Sequence, residues 1–169
     1  RVERELQKSR EEFAAAREIQ ERLFPKASPD LPGYEIAGVS EPAIAAGGDY
    51  FDYLAMPGGA LGLVAADVSG HGVGPALLMA EARAYLRPLA RRLGDPAAIL
   101  TELQDLLAED LGQERYITLV LARLDPETRT LTVANAGHPA AQVLSADGRL
   151  KTALKRTGKA LGRQGAAPF

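Results

Sequence analysis

The sequence has no cysteine and no tryptophan, and only 5% of its residues are aromatic. The absence of cysteine excludes disulfide bonds and thiol catalysis, and it is compatible with the reducing cytoplasm, where we expect the protein to act. No apolar run reaches the length of a membrane span, and no signal peptide is visible. The chain carries a formal net charge of −2, with a pI near 5.8, so no basic excess supports nucleic-acid binding.

The remaining composition is typical of a globular protein, with 169 residues, 46% hydrophobic and 25% charged. This length predicts one domain plus an appendage, which we place at residues 26–169 and 1–25. In the appendage, apolar and small residues follow the 4-3 spacing of a heptad repeat. The seam of this repeat consists of Val2, Leu6, Ser9, Phe13, Ala16, Gln20 and Leu23.

Two interpretations of the first 25 residues stay open. The segment is either an amphipathic helix packed on its own domain, or a coiled-coil-like regulatory helix that couples an upstream sensor to the rest of the chain. The second interpretation predicts a homodimer formed through this helix. Because the chain begins with Arg1 rather than methionine, we expect an upstream region, which the second interpretation makes the sensor. Pro25 is the expected end of the helix.

Apolar and alternating runs predict six strands, at residues 34–40, 50–56, 61–68, 116–124, 130–136 and 141–144. Two helices are predicted between the third and fourth strands, over residues 75–93 and 96–111. Asp95 is the expected N-cap of the second helix, with Pro96 as its first residue. Consecutive helices among antiparallel strands indicate an α+β fold. We expect a layered α/β sandwich of mainly antiparallel strands with two core helices, preceded by an N-terminal signalling helix.

The segment Ala-Asp-Val-Ser-Gly-His-Gly at residues 66–72 follows a buried-strand pattern and precedes a helix. It places the carboxylate of Asp67 at the end of a strand, beside a glycine-rich turn whose amides face a helix N-terminus. A carboxylate there suits a hard cation, and the helix start suits an anion. Together they outline a site for phosphate chemistry. The alternative is that Asp67 only caps the helix.

A second acidic cluster, Gly-Gly-Asp-Tyr-Phe-Asp, lies at residues 47–52. The sequence Pro-Gly-Gly at 57–59 predicts a hairpin that brings Asp49 and Asp67 to the same end of two paired strands. Two carboxylates repel each other unless a cation lies between them, and Mg²⁺ and Mn²⁺ prefer oxygen ligands. Alternatively, Asp49 is only a turn residue after two glycines. We expect Asp52 to be solvated, or to lie next to the ligands, rather than to bind metal itself.

Three motifs in series resemble one family. Residues 47–52, residues 66–72 and the Ala-Asn-Ala-Gly-His-Pro segment at 134–139 are similar, in order and spacing, to the SpoIIE/RsbU-type bacterial branch of the metal-dependent (type 2C, PPM) protein phosphatases. Residues 19–25 look like the family's helix before the catalytic core, and residues 116–119 fall where it has a Phe-x-Thr strand. The resemblance extends from about residue 14 to the end of the chain.

The resemblance implies a protein serine/threonine phosphatase. Asp49 and Asp67 would be the catalytic ligands of two Mn²⁺ or Mg²⁺ ions, and the Val68 carbonyl would complete the site from the backbone. The ions would activate a water for in-line attack on phosphoserine or phosphothreonine, without a phosphoenzyme. The implied substrate is a regulatory phosphoprotein, commonly a STAS-domain anti-sigma-factor antagonist. Ala46 stands where the family often has Val, a small change that should leave the site intact.

One departure from the family concerns the end of the chain. The family has further aspartates downstream, in a Thr-Asp-Gly motif and near the end of the domain, and neither motif occurs before Phe169. Asp147 does not replace them, because residues 145–149 predict a hairpin turn. We therefore expect residues 26–169 to be the front part of a phosphatase domain, which alone lacks part of the family's acidic set.

The motifs contain three further polar residues of interest. His71 suits protonation of a leaving serine oxygen, but the favoured interpretation is that it hydrogen-bonds the loop backbone, since a two-metal hydrolase needs no protein base. His138, with Asn135, is expected to form a structural turn. Ser69 is expected to be a turn residue, because the Gly-x-Ser-x-Gly elbow of serine hydrolases is absent.

Two other classes of function stay open. The chain would serve as a catalytically inactive regulatory module if it dimerised through the first helix and bound a partner through the α/β body. Alternatively, the glycine-rich turn at 69–74 would bind a nucleotide in a non-hydrolytic sensor. The sequence disfavours the nucleotide sensor, because the turn lacks the P-loop lysine and the Gly-x-Gly-x-x-Gly spacing.

Overall fold

The computed structural model describes residues 2–41, 47–163 and 169, with the backbone alone at positions 6, 9, 10 and 12. Ala46 and the chain end over 164–168 lie outside the described residues. The main element is a four-stranded antiparallel sheet in the order β1-β2-β3-β4. Its strands are β1 (Tyr50–Ala55), β2 (Leu61–Val68), β3 (Ile117–Asp125) and β4 (Thr130–Ala136).

Strands β1 and β2 form the predicted hairpin. A single 3₁₀ turn over Pro57–Gly59 connects them, and both glycines have a φ of +72°, a region that glycine enters readily. The strands pair with Tyr50 opposite Ala66. The start of β1 and the end of β2 therefore meet at one end of the sheet.

Helices α2 (Val73–Arg92) and α3 (Pro96–Leu111) pack against each other and against the sheet. The core between these layers is aliphatic. Burying one such leucine or isoleucine contributes roughly 1.5–3 kcal/mol by removing it from water, so the helices and the sheet stabilise one another. The fully buried side chains of this core include Met79, Leu86, Ile99, Leu100, Leu103, Leu107, Ile117, Leu119 and Leu121.

The bounds of α3 are those predicted, and the side chain of Asp95 accepts hydrogen bonds from two first-turn amides at 3.2 and 3.4 Å. This confirms Asp95 as the N-cap. Helix α2 begins at Val73, earlier than the predicted Pro75, because the N–H of Ala76 donates to the carbonyl of Gly72. The helical hydrogen bonding therefore starts within the glycine turn.

Strands β5 (Ala141–Leu144) and β6 (Leu150–Leu154) form a separate two-stranded sheet. The predicted hairpin turn between them is confirmed, since the N–H of Gly148 donates to the carbonyl of Ser145 at 2.8 Å. The sequence implied a strand after this turn without giving its bounds. Beyond β6 the chain returns to the main sheet, where isolated bridges join it to β4 and β3.

The strand predicted at residues 34–40 is not a strand in the structure. The segment lies over the side chains of β1, and a Cβ at Gly38 would be 2.7 Å from the Phe51 ring and the Tyr53 hydroxyl. It therefore covers a face of the sheet instead of pairing with a backbone edge. Its alternating pattern reflects this packing.

Helix α1 spans Val2–Glu21, ends before Pro25 and contacts α2. On its predicted seam, Val2 is 77% exposed, whereas Gln20 is only 7% exposed. At Gln20 the structure fits the first interpretation, a helix packed on its own domain, because this side chain hydrogen-bonds the backbone of Gly47. None of the helices in the described part of the chain has the length and apolar character that crossing a membrane requires.

Candidate functional site

The candidate site lies at one end of the main sheet, where a row of residues crosses from β1 to β4. Asp49 precedes β1 and, one step beyond the pair of Tyr50 and Ala66, faces Asp67 of β2. Asp67 pairs with Thr118 of β3, and His138 follows the end of β4. The hairpin thus brings together the two carboxylates that the sequence places at one sheet end.

Packing beside Asp49 leaves no room for a side chain at position 48. A Cβ on Gly48 would overlap the carbonyl oxygen of Val68 and lie 2.9 Å from its Cβ. The N–H of Val68 donates to the carbonyl of Gly48 at 3.2 Å. Glycine is therefore required where the chain before Asp49 approaches the residue after Asp67, and this approach sets the spacing of the carboxylates.

The electrostatics of the pair favour a cation. Partial burial raises the pKa of Asp67, the negative charge of Asp49 raises it further, and His138 opposes both effects. Carboxylates that repel each other in this way are stabilised by a positive ion between them. Two carboxylates and a backbone carbonyl are hard oxygen donors, and Mg²⁺ bound by so few protein ligands keeps several waters. The donor set fits a hard divalent cation.

The acidic set is nevertheless small. Within residues 2–41, 47–163 and 169, no three His, Cys, Asp or Glu side chains converge as a group that would hold a metal ion. Within the described residues, Asp49 and Asp67 are therefore the acidic side chains that the site brings together.

The imidazole of His138 lies near the carboxylates, a position that the motif spacing does not predict. Its Nδ1 is 2.9 Å from the Thr118 hydroxyl, and its backbone N–H donates to the Asn135 Oδ1 at 2.8 Å. Burial lowers the pKa of His138, and the charge of Asp67 opposes this effect. The predicted turn with Asn135 is confirmed, but the residue also lines the site. The pairing register is the signal that would have found it, because residues just beyond β4 lie level with Thr118.

Ser69 organises the glycine turn after β2, as predicted. Its Oγ accepts from the N–H of Tyr116 at 3.0 Å, and its own N–H donates to the Tyr116 carbonyl at 2.9 Å. Gly72 is the N-cap of α2 and no side chain caps it, so the alternative that Asp67 is the cap is wrong. His71 is exposed and makes no hydrogen bond to a described residue, so the expected bond to the loop backbone is not formed there.

Asp52 is buried, contrary to the expectation of a solvated residue or one next to the ligands. It accepts two hydrogen bonds from the Arg87 guanidinium, at 2.7 and 2.8 Å, and one from the Tyr50 hydroxyl at 2.5 Å. Burial, and then the hydrogen bond to Asp52, raise the pKa of Tyr50. The expectation is wrong because alternate residues of a strand share a face, and this face of β1 meets helix α2.

Comparison with known families gives a direct result. The family model described as Stage II sporulation protein E (SpoIIE) matches residues 57–169. The chain belongs to this family. The matched region contains Asp67, Val68 and His138, and the membership confirms the resemblance to SpoIIE/RsbU-type phosphatases.

Two curated proteins illustrate the relationship. Protein IcfG of Synechocystis sp. is 29% identical over 91% of this chain, and the phosphoserine phosphatase RsbU of Bacillus subtilis is 25% identical over 78% of it. The matches cover 28% of IcfG and 39% of RsbU. The chain thus spans less than half the length of these relatives.

Solved structures agree with this assignment. The RsbU and RsbW domains of Rv1364c from Mycobacterium tuberculosis match with a TM-score of 0.65 and 31% identity, over 77% of this chain and 37% of that chain. The SiaA-PP2C domain of Pseudomonas aeruginosa matches with a TM-score of 0.76 and 22% identity, over 97% of this chain and 67% of that chain. The second match concerns the fold alone, and it confirms the predicted fold class.

Proposed function

We propose that this protein is a metal-dependent serine/threonine phosphatase that hydrolyses phosphoserine on a regulatory protein. The observation that carries the proposal is the facing pair of Asp49 and Asp67, aligned by the β1–β2 hairpin. The close approach of Gly48 to Val68 supports it by holding the two motifs together. A curated relative is a phosphoserine phosphatase, which supports the same reaction here.

In this proposal Asp49, Asp67 and the Val68 carbonyl hold Mn²⁺ or Mg²⁺, with two ions in the complete site. When bound, the ions supply Lewis-acid chemistry that acidifies a water and offsets the charge of the phosphoryl group. The chain itself positions the substrate. Because Gly72 caps α2 without a side chain, the first amides of the helix can donate to a phosphate oxygen.

The finer proposals concern partners. The substrate would be a phosphoprotein of the STAS-domain anti-sigma-factor antagonist type, and residues 26–169 would be the front part of the phosphatase domain. Residues 1–25 would form a regulatory helix that pairs two copies and receives the signal of an upstream sensor. The exposed fractions of Val2 and Phe13, 77% and 36%, support pairing because the described domain leaves this apolar surface in water.

A second candidate function is a catalytically inactive regulatory module of the same fold. The specific observation in its favour is the small acidic set, since no third acidic or histidine side chain joins Asp49 and Asp67 in an ion-binding group among the described residues. Such a module would bind a partner phosphoprotein without turning it over.

The deciding experiment measures Mn²⁺-dependent release of phosphate from a phosphoserine protein, using the protein with any flanking sequence that its gene encodes. Release that requires Mn²⁺ and stops on addition of a chelator supports the phosphatase. A folded protein that binds the phosphoprotein but releases no phosphate supports the regulatory module. Circular dichroism establishes folding in both cases.

A further inference from the structure

The chain between residues 148 and 163 is strongly basic, although the whole protein has a net charge of −2. This segment contains six lysines and arginines and no aspartate or glutamate. It includes β6 and the return of the chain to the main sheet. The basic residues are Arg149, Lys151, Lys155, Arg156, Lys159 and Arg163.

Two of these basic residues line an open groove. Lys155 and Arg156 form one wall, and residues 137–140 form the other, around a space of about 590 Å³. Both side chains are exposed, and neither makes an ion pair or hydrogen bond with any residue that the structure describes. Within that part of the chain, no side chain neutralises their positive charges, so both can bind an anionic group.

The basic groove adjoins the candidate site. His138 lines the groove and also lines a second cavity of about 270 Å³ that contains Asp49. His138 is therefore common to the two spaces, and a chain lying in the groove would pass beside a residue that also lines the cavity of Asp49. A substrate whose phosphorylated residue reaches Asp49 and Asp67 would place neighbouring residues next to Lys155 and Arg156.

The position of the basic pair is set by Asn135. The Thr157 N–H donates to the Asn135 carbonyl at 2.9 Å, and the Asn135 N–H donates to the Thr157 Oγ1 at 2.8 Å. The side chain of Asn135 is fully buried and holds the N–H of His138. Asn135 thus joins the backbone next to Arg156 to the backbone of His138, on the two walls of the groove.

We propose that this groove binds an acidic segment next to the phosphorylated residue of the protein substrate, and that Lys155 and Arg156 are specificity-determining residues. The proposal rests on the proposed phosphatase function for the identity of the ligand as a phosphoprotein. Charge complementarity carries it, because two cations without a described partner line an open groove that shares His138 with the cavity of Asp49.

The test compares two phosphoserine peptides that differ only in their flanks, Glu-Glu or Gln-Gln. Fluorescence anisotropy gives the dissociation constants, and phosphate release with Mn²⁺ gives KM and kcat. The variant is Lys155→Glu/Arg156→Glu. The control is Arg149→Glu/Lys151→Glu, which reverses two charges of the same basic segment outside the groove, where Arg149 is paired with Asp147.

The wild-type protein and the control should bind the Glu-flanked peptide about tenfold more tightly than the Gln-flanked peptide, because the glutamates add two exposed charge contacts with Lys155 and Arg156. The groove variant should lose or reverse this preference. The ratio of the two dissociation constants is the decisive quantity, because general damage to the fold would weaken both peptides equally. High salt should reduce the wild-type preference.

Equal affinity of the wild-type protein for both peptides would overturn the proposal, as would an equal loss of preference in the control. Displacement of the acidic peptide by a single-stranded oligonucleotide of the same charge, at equal concentration, would overturn it in favour of a general polyanion surface. The proposed function fails separately, if the wild-type protein releases no phosphate from either peptide. The binding ratio still decides the role of the groove in that case.

Discussion

The side-chain amide of Gln20 pairs with both backbone groups of Gly47. Its Nε2 donates to the Gly47 carbonyl at 2.6 Å, and its Oε1 accepts from the Gly47 N–H at 3.1 Å. Gly47 comes two residues before Asp49 in the chain. The end of helix α1 is therefore connected by two hydrogen bonds to the segment that carries a proposed metal ligand.

We predict that Gln20→Ala lowers the free energy of unfolding by about 2 kcal/mol, because a net hydrogen bond contributes roughly 0.5–1.5 kcal/mol and two are lost. It should also weaken Mn²⁺ binding, because the two hydrogen bonds hold the backbone of Gly47, two residues before Asp49. Urea denaturation and metal titration measure the two effects. The control is Gln7→Ala on the same helix, where an exposed glutamine bonds only Glu11. An equal effect of both changes would contradict this account.

For Asp67→Asn, we predict loss of Mn²⁺-dependent turnover with the fold intact. Without metal, the variant should be as stable as the wild-type protein or slightly more stable, because the repulsion from Asp49 disappears. Added Mn²⁺ should raise the melting temperature of the wild-type protein and leave that of the variant unchanged. Retained Mn²⁺-dependent activity would show that Asp67 is not a ligand.

Asp52→Asn should lower the free energy of unfolding by about 3 kcal/mol, since it leaves the Arg87 guanidinium without its buried counter-charge. Chemical denaturation measures the loss. Asp147→Asn is the matched control, because Asp147 is exposed and its change should leave the free energy of unfolding nearly unaltered. A loss below about 1 kcal/mol for Asp52→Asn would mean that the ion pair stabilises little beyond its hydrogen bonds.

Arg129 has a φ of +55°, in the left-handed region, at the turn between β3 and β4. This conformation disfavours residues with a Cβ by about 1–2 kcal/mol. We predict that Arg129→Gly stabilises the protein by about 0.5–1 kcal/mol, after the greater chain entropy of glycine is subtracted. Arg129→Ala removes the long side chain but keeps the Cβ, so it should not stabilise the protein if the backbone conformation is the cause. Thermal unfolding of both variants distinguishes them.

The elements predicted best from the sequence are those specified by local signals. Helix α3 has its Asp95 cap, its first-turn proline and one apolar stripe, and its bounds match the prediction. The β1–β2 hairpin follows from an aromatic-rich run and an apolar run on either side of Pro-Gly-Gly, and the pairing of Asp49 with Asp67 follows from the hairpin. At these positions the structure favoured by neighbouring residues is also the one that the fold adopts, so short-range sequence patterns are enough to predict it.

The remaining features depend on contacts between distant parts of the chain. Gln20 bonds Gly47, 27 positions away, and Arg87 bonds Asp52, 35 positions away, so neither partner is visible in a window of neighbouring residues. The segment at 34–40 alternates like a strand because it covers a sheet face. His138 joins the site only through the registers of three strands. These features require the pairing of strands and helices to be known first.

Gly48 changes how members of this family should be judged from their sequences. A chain can retain both aspartates and still lose the site if position 48 gains a Cβ, because the Val68 carbonyl occupies that space. Counting acidic residues is therefore an incomplete test for inactive homologues. The glycine next to the first aspartate belongs in the same sequence pattern, because Gly48→Ala should disturb the candidate site while both aspartates are still present.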